Sequence, residues 1–140
     1  MKIAVDFDGT IVEHKYPQIG KEQLFAFETI KQLIQQRHQV ILWTYRAGKE
    51  LDEAVEYCRE NGVEFFAVNM NYPEEHYDGS ISRKIDADVY IDDRNVGGFP
   101  GWSKIWQILN PDEATQNMEM KSVIKGDKSK GAWSKRLFKK

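Results

Sequence analysis

The 140-residue chain has a single cysteine, Cys58. No internal disulfide can form, so a disulfide framework is excluded as the source of its stability. Cys58 falls at helical spacing with Leu51, Ala54 and Val55, which predicts a packed thiol rather than a nucleophile. A reducing, cytoplasmic setting is the expectation that follows. No apolar run approaches the length of a membrane span. No signal peptide is expected either, because Met1-Lys2 passes straight into the short apolar segment Ile3-Ala4-Val5. Internal repeats are lacking, and so is any linker before about Pro111. With 41% hydrophobic residues and a net charge of -2, the chain has the composition of one ordinary globular domain with a proper core.

The small net charge hides an asymmetry. Residues 121–140 hold eight Lys or Arg against one acid, Asp127, while the other 120 residues carry 12 basic and 21 acidic side chains. Different work is therefore expected of an acidic body, residues 1–110, and a polar, basic tail, residues 111–140. The tail is expected to be flexible and solubilising. Trp133, Leu137 and Phe138 among Lys135, Arg136, Lys139 and Lys140 also suit contact with nucleic acid or an anionic membrane.

Apolar spacing sets the order of elements. Lys2–Phe7 reads as a buried strand, 11–20 as a loop punctuated by Pro17 and Gly20, and Lys21 to about Gln36 as a helix carrying Phe27, Ile30 and Ile34. Gln39–Thr44 is continuously apolar at Val40, Ile41, Leu42 and Trp43, as a strand covered on both faces should be. A second helix through Leu51 and Cys58 closes at Asn61-Gly62. Glu64–Val68 and Asp88–Ile91 read as strands, separated by a polar loop over 69–82. Trp102, Ile105, Trp106 and Leu109 mark a third helix after Pro100-Gly101. Strands alternating with helices predict an α/β fold, a Rossmann-like three-layer sandwich around a parallel sheet. Ligands of such sheets bind beyond the carboxyl ends of the strands, where Asp6, Thr44 and Asp92 all fall.

The most informative segment is Asp6-Phe7-Asp8-Gly9-Thr10, at the end of the first strand. Residues two apart on a strand face the same way, so Asp6 and Asp8 are expected to project together, with Gly9 allowing the tight turn after them. Paired carboxylates repel unless a cation lies between them or one is protonated. A divalent cation and a phosphoryl group would account for the pair.

With Trp43-Thr44, Arg83-Lys84 and Ile91-Asp92-Asp93-Arg94-Asn95, the segment resembles the haloacid dehalogenase superfamily of phosphohydrolases. That family carries an Asp-x-Asp-Gly-Thr strand end, a Thr or Ser after an apolar strand, a Lys, and an acidic pair after another apolar strand. All four occur here in that order over roughly residues 2–110. The resemblance implies Asp6 as the nucleophile, forming an aspartyl-phosphate. It implies Asp8 as the acid that protonates the leaving group and then activates water. Thr44 would donate to a phosphoryl oxygen, and Lys84, with Arg83 as its rival, would neutralise phosphoryl charge. Mg²⁺ would be held by the Asp6 carboxylate, the Asp8 backbone carbonyl and Asp92, with Asp93 direct or through water. Gly9, Thr10 and Arg46 are expected to meet substrate, whereas Trp43, on the opposite side of its strand from Thr44, is expected in the core.

Family members often add a cap domain that selects substrate. The gaps from Thr10 to Thr44 and from Thr44 to Lys84 are filled by the predicted elements, so a capless, open site is expected. Residues 11–20 would act as a small flap, offering Glu13, His14, Lys15 and Tyr16 to the substrate. A Mg²⁺-dependent phosphatase acting on a small phosphorylated substrate is the expectation. A nucleic-acid end-processing phosphatase and a non-catalytic module that binds Mg²⁺ or a phosphorylated ligand are the alternatives. Oligomeric state stays open, a homo-oligomer included.

Overall fold

The computed structural model describes residues 1–112. The rest of the basic tail, residues 113–140 with Trp133, Leu137 and Phe138, lies outside the described residues. Chain order is β1 (Lys2–Val5), α1 (Ala26–Gln35), β2 (Gln39–Leu42), α2 (Gly48–Glu60), β3 (Ala67–Val68), β4 (Val89–Ile91) and α3 (Trp102–Leu109). The fold is α/β, with four strands in the order β3-β2-β1-β4 and every neighbouring pair parallel. Two compact units divide the chain, Met1–Trp102 and Ser103–Lys140. The sheet, α1 and α2 belong to the first. α3 opens with Trp102, the last residue of that unit, and within the second the Asn110 side-chain amide donates to the Trp106 carbonyl. Among the described residues no helix is long and apolar enough to cross a membrane.

Register explains the core. Ala4 pairs with Ile41 on one side and Tyr90 on the other, and Ile41 with Ala67, so this row shares one face of the sheet. The face is covered by the β3–β4 connection: Ile85 is buried with Ala4, Ile41 and Ala67, and Trp43, Phe66, Met70 and Tyr90 pack around them. The Tyr90 hydroxyl ties the connection down, donating to the Ile85 carbonyl and accepting from the Ala87 N–H. The alternate row, with Ile3, Val5, Val40 and Leu42 all buried, faces the other way. On the helical side Phe27 of α1 and Tyr57 of α2 meet at 5.7 Å between ring centroids, and Tyr57 also meets Phe7. Within the first unit, then, helices cover one face and an irregular connection the other.

Element ends depart from expectation for local reasons. The first helix starts at Ala26, not Lys21, because residues 21–23 pair with the flap: Glu13 donates its N–H to the Lys21 carbonyl and Gln23 to that of Ile11. Phe25 then takes a left-handed conformation, φ 65°, immediately before the helix. The second helix stops where Asn61-Gly62 predicts, with Gly62 at φ 85°. Cys58 is fully buried in α2, and burial pushes its thiol up to about 12, so a packed thiol is what the fold contains.

Candidate active site

Strand order brings the acids together. From β1 the chain steps to β2 and β3 on one side, then returns to place β4 on the other. β1 and β4 therefore flank the reversal point, where the carboxyl ends of a parallel sheet open into a crevice. Their pairing continues past the strands, since the Asp6 N–H donates to the Ile91 carbonyl at 2.9 Å. One carboxylate oxygen each from Asp6, Asp92 and Asp93 lies within 4.8 Å of the others.

Buried Thr10 organises this trio. Its hydroxyl accepts from the Asp93 N–H at 2.9 Å and turns its hydrogen toward Asp6 Oδ2, 3.2 Å away, and Asp93 Oδ1, 3.4 Å away. The Thr10 carbonyl accepts from the indole N–H of Trp102, itself fully buried. Gly9 turns the chain at φ 88°, and a Cβ there would stand 2.1 Å from Asp93 Oδ2. Only glycine satisfies both the left-handed backbone and the close approach of the carboxylate. Gly9 and Thr10, expected to meet substrate, thus shape the acidic cluster instead.

The cluster carries uncompensated charge. Burial, the neighbouring Asp92 carboxylate and a hydrogen bond with Asp93 raise Asp6 to about 8, against a lowering by the Phe7 N–H. A folded-state value above the ordinary 3.8 means that the folded chain keeps a proton which the unfolded chain releases near pH 4. Stability therefore falls as pH rises from about 4 to about 8. In chelator, Asp92→Asn removes one source of this repulsion. We expect it to raise the melting temperature at pH 8 by roughly 3–5 °C, about 1 kcal/mol, and by less at pH 5. Equal shifts at the two pH values, read by thermal melts, would contradict the charge account.

Asp8 behaves differently from Asp6. Both of its oxygens accept from Arg46, Nε at 2.7 Å and Nη2 at 2.8 Å. Arg46 is buried, and its remaining N–H groups reach the carbonyls of Pro17, Gln18 and Glu50. Its guanidinium lies over the rings of Phe7 and Tyr16, 5.0 and 5.2 Å from their centroids. The expectation that Arg46 meets substrate is therefore corrected: its donors are spent inside the protein, tying the end of β1 to the flap and to α2. Lysine has no planar fork for this work. Replacing Arg46 by Met strands Asp8, and we expect a loss of about 3 kcal/mol, as for other broken buried pairs, measurable by urea denaturation.

Thr44 stands beyond β2. Its N–H donates to the Asn69 side chain at 2.8 Å, and its hydroxyl accepts from the Arg46 N–H at 3.1 Å. A hydroxyl that accepts still has its hydrogen to donate, as a phosphoryl site requires. A cavity of about 630 Å³ joins Asp6, Asp8, Thr44 and Asp92 to His14 and Tyr16 of the flap, to Trp43 and Tyr45, and to Arg94. Trp43 thus combines the expected core packing with a cavity wall.

Neither Lys84 nor Arg83 is among these lining residues. Both are exposed, Lys84 with its ammonium 5.1 Å from the centroid of the Tyr90 ring and Arg83 hydrogen-bonded to the Tyr77 hydroxyl. The cation that lines the cavity is Arg94, with Nη2 3.4 Å from His14 Nε2. Its position right after the Asp92-Asp93 pair was the available signal. Asp92 sets the local turn by accepting the Arg94 N–H at 2.8 Å.

No family model and no curated protein matches this sequence. Among solved structures, the chain is similar to a conserved protein coded by a locus of Bacteroides thetaiotaomicron. The two are 57% identical over 80% of this chain and 91% of that one, with a TM-score of 0.76.

Proposed function

We propose that this chain, which belongs to the family of the conserved Bacteroides thetaiotaomicron protein, is a capless, Mg²⁺-dependent phosphomonoester hydrolase of the haloacid dehalogenase type. The observation that carries this reading is the convergence of Asp6, Asp92 and Asp93 from two adjacent strand ends, with Asp6 raised to about 8 in the metal-free protein. Hard, closely spaced oxygens with unbalanced negative charge fit a small divalent cation. Asp6, Asp92 and Asp93 would hold it, together with the Asp8 carbonyl. When bound, Mg²⁺ supplies positive charge that lets the carboxylates and a phosphoryl group share one site.

In this reading an Asp6 oxygen bonds to phosphorus as the bond to the leaving alcohol breaks. Asp8 delivers a proton to that alcohol, then takes one from the water that attacks the aspartyl-phosphate, so that inorganic phosphate leaves and Asp6 is restored. Thr44 donates to a phosphoryl oxygen, and Arg94 supplies the cationic wall assigned by sequence to Lys84. Since Arg46 engages both Asp8 oxygens, Asp8 must release one of those bonds to transfer a proton.

A second reading, a module that binds Mg²⁺ or a phosphoryl group without turnover, draws support from that same engagement of Asp8. The deciding experiment is phosphate release, with Mg²⁺, from a panel of sugar phosphates, nucleotides, phosphopeptides and phosphorylated oligonucleotide ends. Saturable turnover of any member supports the hydrolase. Metal-dependent binding without release across the whole panel favours the module.

A further inference from the structure

We propose that the cavity selects phosphomonoesters whose alcohol side carries a planar ring, received by Tyr16, Trp43 and Tyr45. The proposal rests on the phosphomonoester reading above and names the substrate class for that site. Tyr45 directly follows Thr44, the expected hydrogen-bond donor to a phosphoryl oxygen, yet is 93% exposed. One exposed aromatic residue is ordinary; here exposed Tyr16 and Tyr45 and half-buried Trp43 line the same cavity as the acidic residues. Tyr16 and Tyr45 meet edge to face, with ring centroids 6.5 Å apart and planes at 71°.

Two of the three rings are fixed before any ligand arrives. Trp43 packs against the core of Ala4, Ile41, Ala67 and Ile85. Tyr16 is backed by the Arg46 guanidinium, which also binds the next two carbonyls of the flap, those of Pro17 and Gln18. A wall built this way orders little on binding, and stacking on it is correspondingly favourable. The buried arginine therefore has a second consequence: the residue that holds Asp8 also holds the flap ring against which the substrate rests.

The polar lining narrows the class further. Beside the acids the wall offers the N–H groups of Arg94, whose Nη2 stands next to His14 Nε2. A ring with acceptor atoms on its edge, or with an additional negative charge, matches the donors. The volume of about 630 Å³ suits a ligand of that size. A nucleobase and a simple aryl ring share this chemistry.

The test compares kcat/KM for a nucleoside 5′-monophosphate, an aryl phosphate and ring-free glycerol 2-phosphate, using the full chain with Mg²⁺. Both ring substrates, or one of them, should exceed glycerol 2-phosphate by about tenfold or more, the scale of one stacking contact. Which of the two leads identifies the source of the ring. Tyr45→Ala should collapse that ratio, and Tyr45→Trp should keep it. Equal kcat/KM for ringed and ring-free substrates, or a ratio untouched by Tyr45→Ala, would overturn the proposal. If no phosphomonoester turns over, the hydrolase reading fails separately. Calorimetric binding of the same three compounds then decides, with ring-selective, Tyr45-dependent affinity supporting the proposal and unselective or absent binding overturning it.

Discussion

Asp6→Asn is expected to abolish turnover, whereas Asp8→Asn should leave the first half of the reaction alive. An amide at position 6 has no oxygen anion with which to attack phosphorus. The Thr10 hydroxyl and the backbone of β1 would still hold it in place, so the loss should be chemical and not a failure to fold. At position 8 the amide removes the proton carrier, and general acid–base help is typically worth about 10²–10⁴-fold. With a leaving group that needs little protonation, the Asp8 variant should phosphorylate Asp6 and then stall, since no base activates water. A single-turnover assay with labelled substrate, followed by mass spectrometry of the peptide spanning both residues, reads this directly. A phosphoryl adduct on Asp6 in the Asp8 variant is the expected result. Retained steady-state activity in Asp6→Asn would refute covalent catalysis and make a water molecule the nucleophile.

Chelation should be as damaging as loss of the nucleophile. In the metal-free protein burial and the neighbouring acids push Asp6 up to about 8, which favours the protonated carboxyl that cannot attack. Even when ionised, it shares its surroundings with Asp92 and Asp93, and the three repel an incoming phosphate dianion. Phosphate release in excess chelator should therefore fall to background and return when Mg²⁺ is added. The cation should also raise the melting temperature, because it binds the folded state. That gain should be smaller in Asp92→Asn, which has lost both a ligand and the repulsion. Full activity in chelator would remove the cation from the reaction. Unchanged activity and unchanged metal response in Asp92→Asn would remove Asp92 alone.

The sequence by itself determined the kinds of element and their order. Continuous apolar stretches at residues 3–5 and 40–42, the spacing of Ala54 and Cys58, and the stop at Asn61-Gly62 are local signals, and each produced the strand or helix it implies. It also determined which acids stand at strand ends, since Asp6 and the Asp92-Asp93 pair close apolar segments that become parallel strands. Tertiary structure alone decided which strands are neighbours. Only the order β3-β2-β1-β4 sets β1 beside β4, and without that adjacency Asp6 would not meet acids more than 80 residues away.

The same limit explains the misplaced residues. Alternation along a strand put Asp6 and Asp8 together, but β1 ends at Val5 and Gly9 turns the chain, so Asp8 leaves the acidic trio for Arg46. Arg46 carried no local sign of burial; its surroundings come from the flap, α2 and the end of β1, segments that meet only in the fold. Arg94 replaces Lys84 at the cavity because the path of the β3–β4 connection leaves Lys84 against Tyr90, while Arg94 follows directly from the strand end that holds Asp92. Periodicity and turn chemistry are short-range and legible in a chain. The direction of a charged side chain depends on partners far away in sequence, which only the packed structure supplies.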